Sequence, residues 1–334
     1  MEQRKVQLTG GSTFTISIPK DWARDHDISA GEEIVFHPDN GSLLLTHSAS
    51  NEPTRGELDI SGRDGDALMR GVMTMYVSGF DEIELTADQI SPSQRRIIRE
   101  ATQSLVGLEV LEETVDTVLI QDLLDSAELS VHSAVERMHL IARSMLEDSI
   151  QALKDHDMDL ATDVIARDDD VDRLWYVVSR IFRGTLRSPQ MAREIGLSRE
   201  NCFDYHSSAR QLERIADHAA KISQLTLELD ASIPEPVVDS LDSLCTAATD
   251  IIETAVEALF ETEPGLGTEL ANDARTGVSE IDDQARVIDD QLRELDPTRA
   301  RHLGLIVDSL SRSADYGGNI AETALQKAAP APDV

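Results

Sequence analysis

Cysteine, lysine and long apolar runs are what this chain of 334 residues lacks, and each shortage removes a class of answer. The two cysteines, Cys202 and Cys245, lie outside any CxxC spacing and have no nearby histidine pattern suited to zinc, so both read as buried or idle thiols. No stretch approaches the ~20 apolar residues that cross a bilayer. No charged segment with an apolar core opens the chain either, so a soluble, cytoplasmic protein without membrane insertion is expected. Lysine is reduced to five residues against 25 arginines, while aspartate and glutamate supply 63, for a formal net charge of -33. That balance is expected of a protein kept soluble in concentrated salt, and it points to a halophilic, archaeal source. Most of these carboxylates then only hold water and repel neighbours, so acidity by itself names no substrate. The length exceeds one ordinary small domain and predicts two or three, each with its own core.

Residues 1–48 read as short strands. Phe14, Ile16 and Ile18 alternate with Thr13, Thr15 and Ser17, Pro19 opens a short helix through Arg24, and Gly31 turns the chain into a strand over 34–37. The Asn40-Gly41 dipeptide accepts positive φ at both central positions of a tight turn and joins that strand to another over 43–46. A polar linker over 48–54 follows. In residues 55–124 strands (57–60, 82–85, 108–112, 118–123) alternate with helices (66–77, 92–105), the pattern of a small α/β sandwich with helices on one face. Its turn Ser61-Gly62-Arg63-Asp64-Gly65 is one that can cradle a phosphate at a helix start, although such turns are common. From residue 126 the apolar period is helical. Six helices are predicted, over 126–156, 158–186 and 197–229, then 235–263, 267–295 and 298–327, with prolines at the joints. The fold class is thus multidomain α+β, mainly α in its C-terminal part, with helical repeats over 126–229 and 234–327.

The two helical sets repeat each other. Leu212-Glu213-Arg214-Ile215-Ala216-Asp217-His218 returns as Leu310-Ser311-Arg312-Ser313-Ala314-Asp315-Tyr316. On a helix, Glu213 and Asp217 share a face beside the apolar stripe Leu212, Ile215, Ala219 and Ile222, and Ala209, Ala216 and Ala220 leave room for a neighbouring helix. Two acids at this spacing repel each other by roughly 0.2 to 0.5 kcal/mol on an exposed helix, so something should neutralise them. The second helix of the first set carries Asp168, Asp169, Asp170 and Asp172, and in an antiparallel three-helix bundle Asp168, Asp169 or Asp172 would face Glu213 and Asp217. Oxygen-only ligands from adjacent helices suit hard ions such as Mg²⁺, Mn²⁺, Ca²⁺ or ferric iron. Arg210 and Lys221 stand at salt-bridge spacing to the same acids, so a solvated acidic face remains the alternative. The second set is weaker: Ser311 replaces the first acid and Arg286 is expected where Asp172 stood, leaving Asp282, Asp283 and Asp315.

With these residues in place, the C-terminal half resembles the PhoU family of phosphate-uptake regulators, whose fold is two three-helix bundles in tandem. Its E(D)xxxD motif appears as Glu213 with Asp217, and its acidic run on the preceding helix as Asp168 to Asp172. The resemblance implies a metal ion, divalent or ferric, on Asp168, Asp169, Asp172, Glu213 and Asp217, with Asp282 and Asp315 as the remnant of a second site. It also implies contact with the phosphate ABC transporter through its ATPase subunit. Arg4-Lys5-Val6, the run from Thr13 to Lys20 and the run from Ile28 to Ile34 resemble the SpoVT/AbrB swapped-hairpin DNA-binding domain. Two such chains exchange hairpins into one barrel, which implies a homodimer bound to double-stranded DNA. The positions that would reach DNA are Arg4, Lys5, Thr13, Thr15, Lys20 and Arg24. Residues 1–50 nevertheless hold four basic residues against seven acidic ones, so bulk attraction to phosphate is absent. In concentrated salt the contacts must rely on shape and direct hydrogen bonds.

Two functions compete at this point. One is a DNA-binding transcriptional regulator of phosphate uptake and homeostasis whose helical half senses phosphate status through metal or a partner. The other is a negative regulator acting by contact with the transporter, its N-terminal barrel serving only to dimerise. A metal-dependent hydrolase is disfavoured, because no Ser, Cys or His stands at nucleophile or general-base spacing to the acids. No enzyme is expected.

Overall fold

The computed structural model describes residues 3–39, 42–47, 53–123, 130–229 and 233–330. The expected Asn40-Gly41 turn, most of the linker and the last four residues lie outside them. The chain divides into a small N-terminal unit and a large one beginning at Pro53.

In the N-terminal unit, β1 (Gln7–Thr9) pairs antiparallel with β2 (Thr13–Thr15), placing Leu8 opposite Phe14. Gly10 and Gly11, at φ 63 and 81, make the turn between them in the left-handed region that glycine enters without steric cost. The strand expected to run on through Ile18 stops at Thr15, because β1 offers no rungs beyond Gln7 within one chain. Helix α1 (Lys20–Asp25) follows Pro19, and β3 (Ile34–Asp39) pairs antiparallel with β4 (Ser42–His47). Among the described residues of this unit only His37 is buried, while Val6, Leu8, Phe14, Ile16, Phe36 and Leu43 are more than half exposed.

The large unit opens with β5 (Arg55–Asp59), α2 (Gly65–Val77), β6 (Glu82–Thr86), α3 (Pro92–Ser104), β7 (Leu108–Glu113) and β8 (Thr117–Asp122). Strand order is β5-β6-β8-β7, with β5 parallel to β6 and the other pairs antiparallel. Ile60, Leu68, Val72, Tyr76, Ile83, Leu85, Ile98 and Ile120 form the core between sheet and helices. Ser91 and Gln94 close a capping box on α3, and the Gln94 amide also donates to the carbonyls of Ile60 and Arg63. The Asp64 carboxylate caps α2 and accepts from the Ser93 hydroxyl. This helix start is therefore filled by the protein's own acid rather than kept for a phosphate.

The helical region comprises α4 (Val131–Asp155), α5 (Met158–Arg187), the short α6 (Pro189–Glu194), α7 (Arg199–Leu227), α8 (Glu235–Phe260), α9 (Pro264–Leu292) and α10 (Pro297–Ala328). Helices α4, α5 and α7 pack as one three-helix bundle and α8, α9 and α10 as a second. Their apolar stripes merge into one core. The bundles meet along α7 against α10 and α4 against α8, so each seam joins helices that correspond in the internal repeat. At the α7–α10 seam the rings of His218 and Tyr316, equivalent positions of the two repeats, lie 5.7 Å apart, and the Arg214 guanidinium sits 5.5 Å from the Tyr316 ring. Cys202 and Cys245 are buried and free. Among the described residues no helix is long and apolar enough to cross a membrane.

Arg180, with Arg187 donating to the Ser78 carbonyl and Tyr176 packing on the sheet-domain core, fastens the sheet domain to the first bundle. Arg180 of α5 is 5% exposed and donates to the carbonyls of Tyr76 (2.7 Å) and Phe80 (3.1 Å). It also pairs with Asp81 at 3.1 Å and Asp122 at 2.7 Å, and lies over the Tyr76 ring.

Candidate functional site

Helices α5 and α7 pack closely because α7 presents alanines to its neighbours: Ala209, Ala216 and Ala219 are fully buried and Ala220 nearly so. This close approach draws Glu213 in after the apolar stripe, leaving it only 8% exposed. One carboxylate oxygen accepts from Arg210 at 2.5 Å, and the other, Oε2, is buried without a hydrogen-bond partner. From α5, Asp168 and Asp172 enter the same groove half-buried, and Asp168 Oδ1 is likewise buried and unpartnered. Asp217 stands at the exposed mouth.

The electrostatics show that these groups sense one another. Burial first, then the charge of Asp217, pushes the Asp168 carboxyl up to about 7 and that of Asp172 to about 6. Glu213 rises to about 7 by burial and Asp217, with Arg210 opposing. The Tyr176 phenol rises to about 12 by burial and the same acids. The cluster is thus short of positive charge at neutral pH. Its two orphaned carboxylate oxygens and all-oxygen donor set fit a hard cation in kind. As placed, no group of three or more His, Cys, Asp or Glu side chains among the described residues is gathered to hold an ion, so these side chains would have to shift to close around one. Of the expected partners, Asp169 is exposed and acts on the groove only through its charge. The Arg210 salt bridge forms, whereas Lys221 makes none with Asp217 among the described residues.

In the second bundle the packing corrects the expected register. The buried positions Ala161, Val164, Val171 and Val178 of α5 recur at the same spacing as Ala271, Ala274, Ile281 and Ile288 of α9. Asp282, not Arg286, therefore corresponds to Asp172, Val278 stands at the position of Asp168, and Arg286 falls at that of Tyr176. Asp315 senses Asp282, but Arg312 and Arg275 oppose the upward shift that burial gives it. Arg312 pairs with Asp315 and Asp308, and Arg275 with Glu322. Here arginines do the neutralising that the first bundle leaves undone.

The six N-terminal positions Arg4, Lys5, Thr13, Thr15, Lys20 and Arg24 are all exposed. Thr13 and Thr15 lie on one face of β2, Lys20 and Arg24 one turn apart on α1, and Arg24 pairs loosely with Asp21 at 3.5 Å. Two features escaped the sequence reading. Arg180 had a signal, a lone arginine at a core-facing position of an apolar run. Trp175, whose ring lies 5.3 Å from the Arg210 guanidinium, had none.

Fold and groove together define a tandem three-helix-bundle protein with an acidic helix pair in its first repeat. Residues 135–226 match the PhoU domain, and residues 7–53 match the domain described as antidote-toxin recognition MazE, bacterial antitoxin. The chain therefore carries a PhoU domain and, at its N-terminus, a domain of the MazE/AbrB type. It is 27% identical over 197 residues to the phosphate-specific transport system accessory protein PhoU homolog of Xylella fastidiosa (strain 9a5c), a match covering 57% of this chain and 79% of that protein. The homolog of the same description from Synechocystis sp. is 24% identical over 206 residues, covering 58% and 85%. Among solved structures, PhoU from Streptococcus pneumoniae aligns with TM-score 0.48 at 18% identity, covering 58% of this chain and 91% of that one. PhoU from Pseudomonas aeruginosa aligns with TM-score 0.46 at 20% identity, covering 58% and 93%.

Proposed function

We propose that this chain is a dimeric, DNA-binding regulator of phosphate uptake. The observation that carries the reading is the union, in one chain, of a MazE/AbrB-type domain with a PhoU domain. The exposed apolar face of the N-terminal unit supports it. Val6, Leu8, Phe14, Ile16, Phe36 and Leu43 have almost no core to join within one chain. Burying each against a second copy is worth roughly 1.5 to 3 kcal/mol. The dimer then presents two sets of Arg4, Lys5, Thr13, Thr15, Lys20 and Arg24 to a duplex.

In the helical half, Asp168, Asp172, Glu213 and Asp217 would hold a hard divalent or ferric cation. Such an ion supplies the positive charge that the groove lacks. The chain's own residues do the rest: Arg210 holds Glu213 in place, and the Glu213 and Asp168 oxygens are kept dry and unpaired. Regulation requires that the ion or a protein partner favour one of two arrangements of α5 and α7.

The test is binding of the full chain, and of a chain lacking residues 1–48, to promoter fragments of phosphate-transport genes in concentrated KCl. Specific binding that is lost on truncation, and lost in Arg4→Ala with Lys20→Ala while helicity is kept, is the expected result. Absence of specific binding by the full chain would overturn it. The second reading then gains weight: an interaction module contacting the transporter's ATPase subunit, with the N-terminal unit only a dimer clamp. The excess of acidic over basic residues in positions 1–50 favours that module.

A further inference from the structure

A cleft of about 490 Å³ opens where the C-terminal half of α2 meets α5 and the start of α7. In a chain with 63 acids its lining contains none, and two arginines, Arg70 and Arg183, stand on its rim. Other clefts carry acids: Glu57, Glu82, Glu84 and Glu112 on the open sheet face, and Asp250, Asp273 and Glu280 between α8 and α9. Arg183 has no carboxylate partner among the described residues, and Arg70 has only an exposed contact with Asp66 at 3.8 Å.

Part of the wall is aromatic, with Trp175, Tyr176 and His206 in the lining. The Trp175 and His206 rings lie 4.8 Å apart, and His206 stacks on Phe182 at 4.4 Å. Burial, with Arg183 and Arg210 nearby, pushes the His206 imidazole down to about 4, so the ring packed against Trp175 and Phe182 is neutral at physiological pH. At the floor, Ser179 is 4% exposed and its hydroxyl has no hydrogen-bond partner. Cationic rim, aromatic lining and unsatisfied buried hydroxyl are complementary to a planar ring bearing a phosphate. The volume falls within the roughly 300 to 1,000 Å³ of small-molecule sites, well beyond what a bare phosphate fills.

The geometry points to a nucleotide-class ligand in this cleft, its ring against Trp175 and His206 and its phosphate between Arg70 and Arg183. The assignment goes beyond the DNA-binding and metal readings and stands without them. It bears on the acidic groove through one side chain, because Arg210 both faces the Trp175 ring and holds Glu213. A ligand that meets the Trp175 ring is therefore one side chain away from the carboxylates.

The chain has two tryptophans, so the full-length Trp22→Phe protein leaves Trp175 as its sole indole reporter. Its emission is titrated with AMP and ATP, and with adenosine and inorganic phosphate separately, in matched salt. Calorimetry on the unaltered chain gives a second reading. The expected result is saturable binding of AMP or ATP, weakened about tenfold or more in Arg183→Gln, as fits loss of a charge-assisted contact. Adenosine should bind about tenfold or more weakly than AMP for the same reason. Arg183 is exposed and has no carboxylate partner among the described residues, so its variant keeps the fold, which circular dichroism checks. No saturation by either nucleotide up to about 5 mM in both measurements would overturn the assignment. So would equal affinity in Arg183→Gln, or inorganic phosphate binding as tightly as AMP.

Discussion

Replacing Arg180 by methionine keeps most of the stem's volume and removes the guanidinium that fastens the sheet domain to α5. The loss falls on groups that cannot turn to water. The Asp122 side chain is 3% exposed, and the Tyr76 carbonyl accepts from the same guanidinium at 2.7 Å. Asp81, 42% exposed, can be rehydrated and should contribute little. Removing one member of a buried ion pair costs up to about 3 to 5 kcal/mol, much of it because the remaining charge is less well neutralised. A double variant, Arg180→Met with Asp122→Asn, removes that charge as well, so it should recover about 1 to 3 kcal/mol relative to the sum of the single changes. Urea is the right denaturant because it leaves ionic strength unchanged. With a slope of about 3 kcal/mol per molar, the midpoint for Arg180→Met should fall by about 1 M or more. A single variant as stable as the parent to within about 1 kcal/mol, or a strictly additive double variant, would refute the view that the Arg180–Asp122 pair is what matters.

Acidity should act on the groove with a definite sign. Asp168 and Glu213 titrate near 7 and Asp172 near 6 in the folded chain, above their ordinary 3.8 and 4.5, so the folded state holds protons that the unfolded state has released. In the presence of chelator, stability should therefore rise as pH falls from 8 through 6. The gain is about 1 to 2 kcal/mol after allowance for solvent screening and coupling; a calorimetric melting temperature that is flat or falls over that range would contradict it. Asp168→Asn should mimic the low-pH state, stabilising the chelated protein at pH 8 and leaving it unchanged near pH 5. Two glycines of α10 should respond oppositely to alanine: Gly304, with nothing within 4 Å of a new Cβ, should gain up to about 1 kcal/mol. Gly317, whose Cβ would meet Ile251, Ile252 and the Ile252 backbone at 3.1 to 3.3 Å, should lose about 1 to 3 kcal/mol in chemical denaturation. Phe14→Asp, at a position 75% exposed in the single chain, should convert a dimer to a monomer in light scattering if that ring lies in the interface.

The helices and the small sheet were legible because each is long enough to repeat its apolar period. The pair Glu213 and Asp217 beside a buried stripe located the groove, and Asp168 and Asp172 on the helix before it supplied the facing side. Helix α6 was missed because six residues hold less than two turns, although Ser188, whose hydroxyl caps it, and Pro189 mark its start. Arg286 was misplaced because acidic runs were aligned by charge, whereas the true register is fixed by which small residues pack, Ala271 and Ala274 answering Ala161 and Val164. The cleft lay beyond sequence reasoning for a different reason. Its walls, Arg70 on α2 and Trp175, Ser179 and Arg183 on α5, come together only once the sheet domain has docked on α5.

The contact between His218 and Tyr316 ties the history of the two repeats together. Elsewhere the copies differ, one keeping all four carboxylates and the other holding Val278 and Ser311 at two of their positions. At this seam a residue meets its own counterpart, so a substitution in either copy alters the surroundings of both. Each repeat thus furnishes part of the surroundings of its counterpart's equivalent residue, so the two copies form one environment across a pseudo-twofold seam.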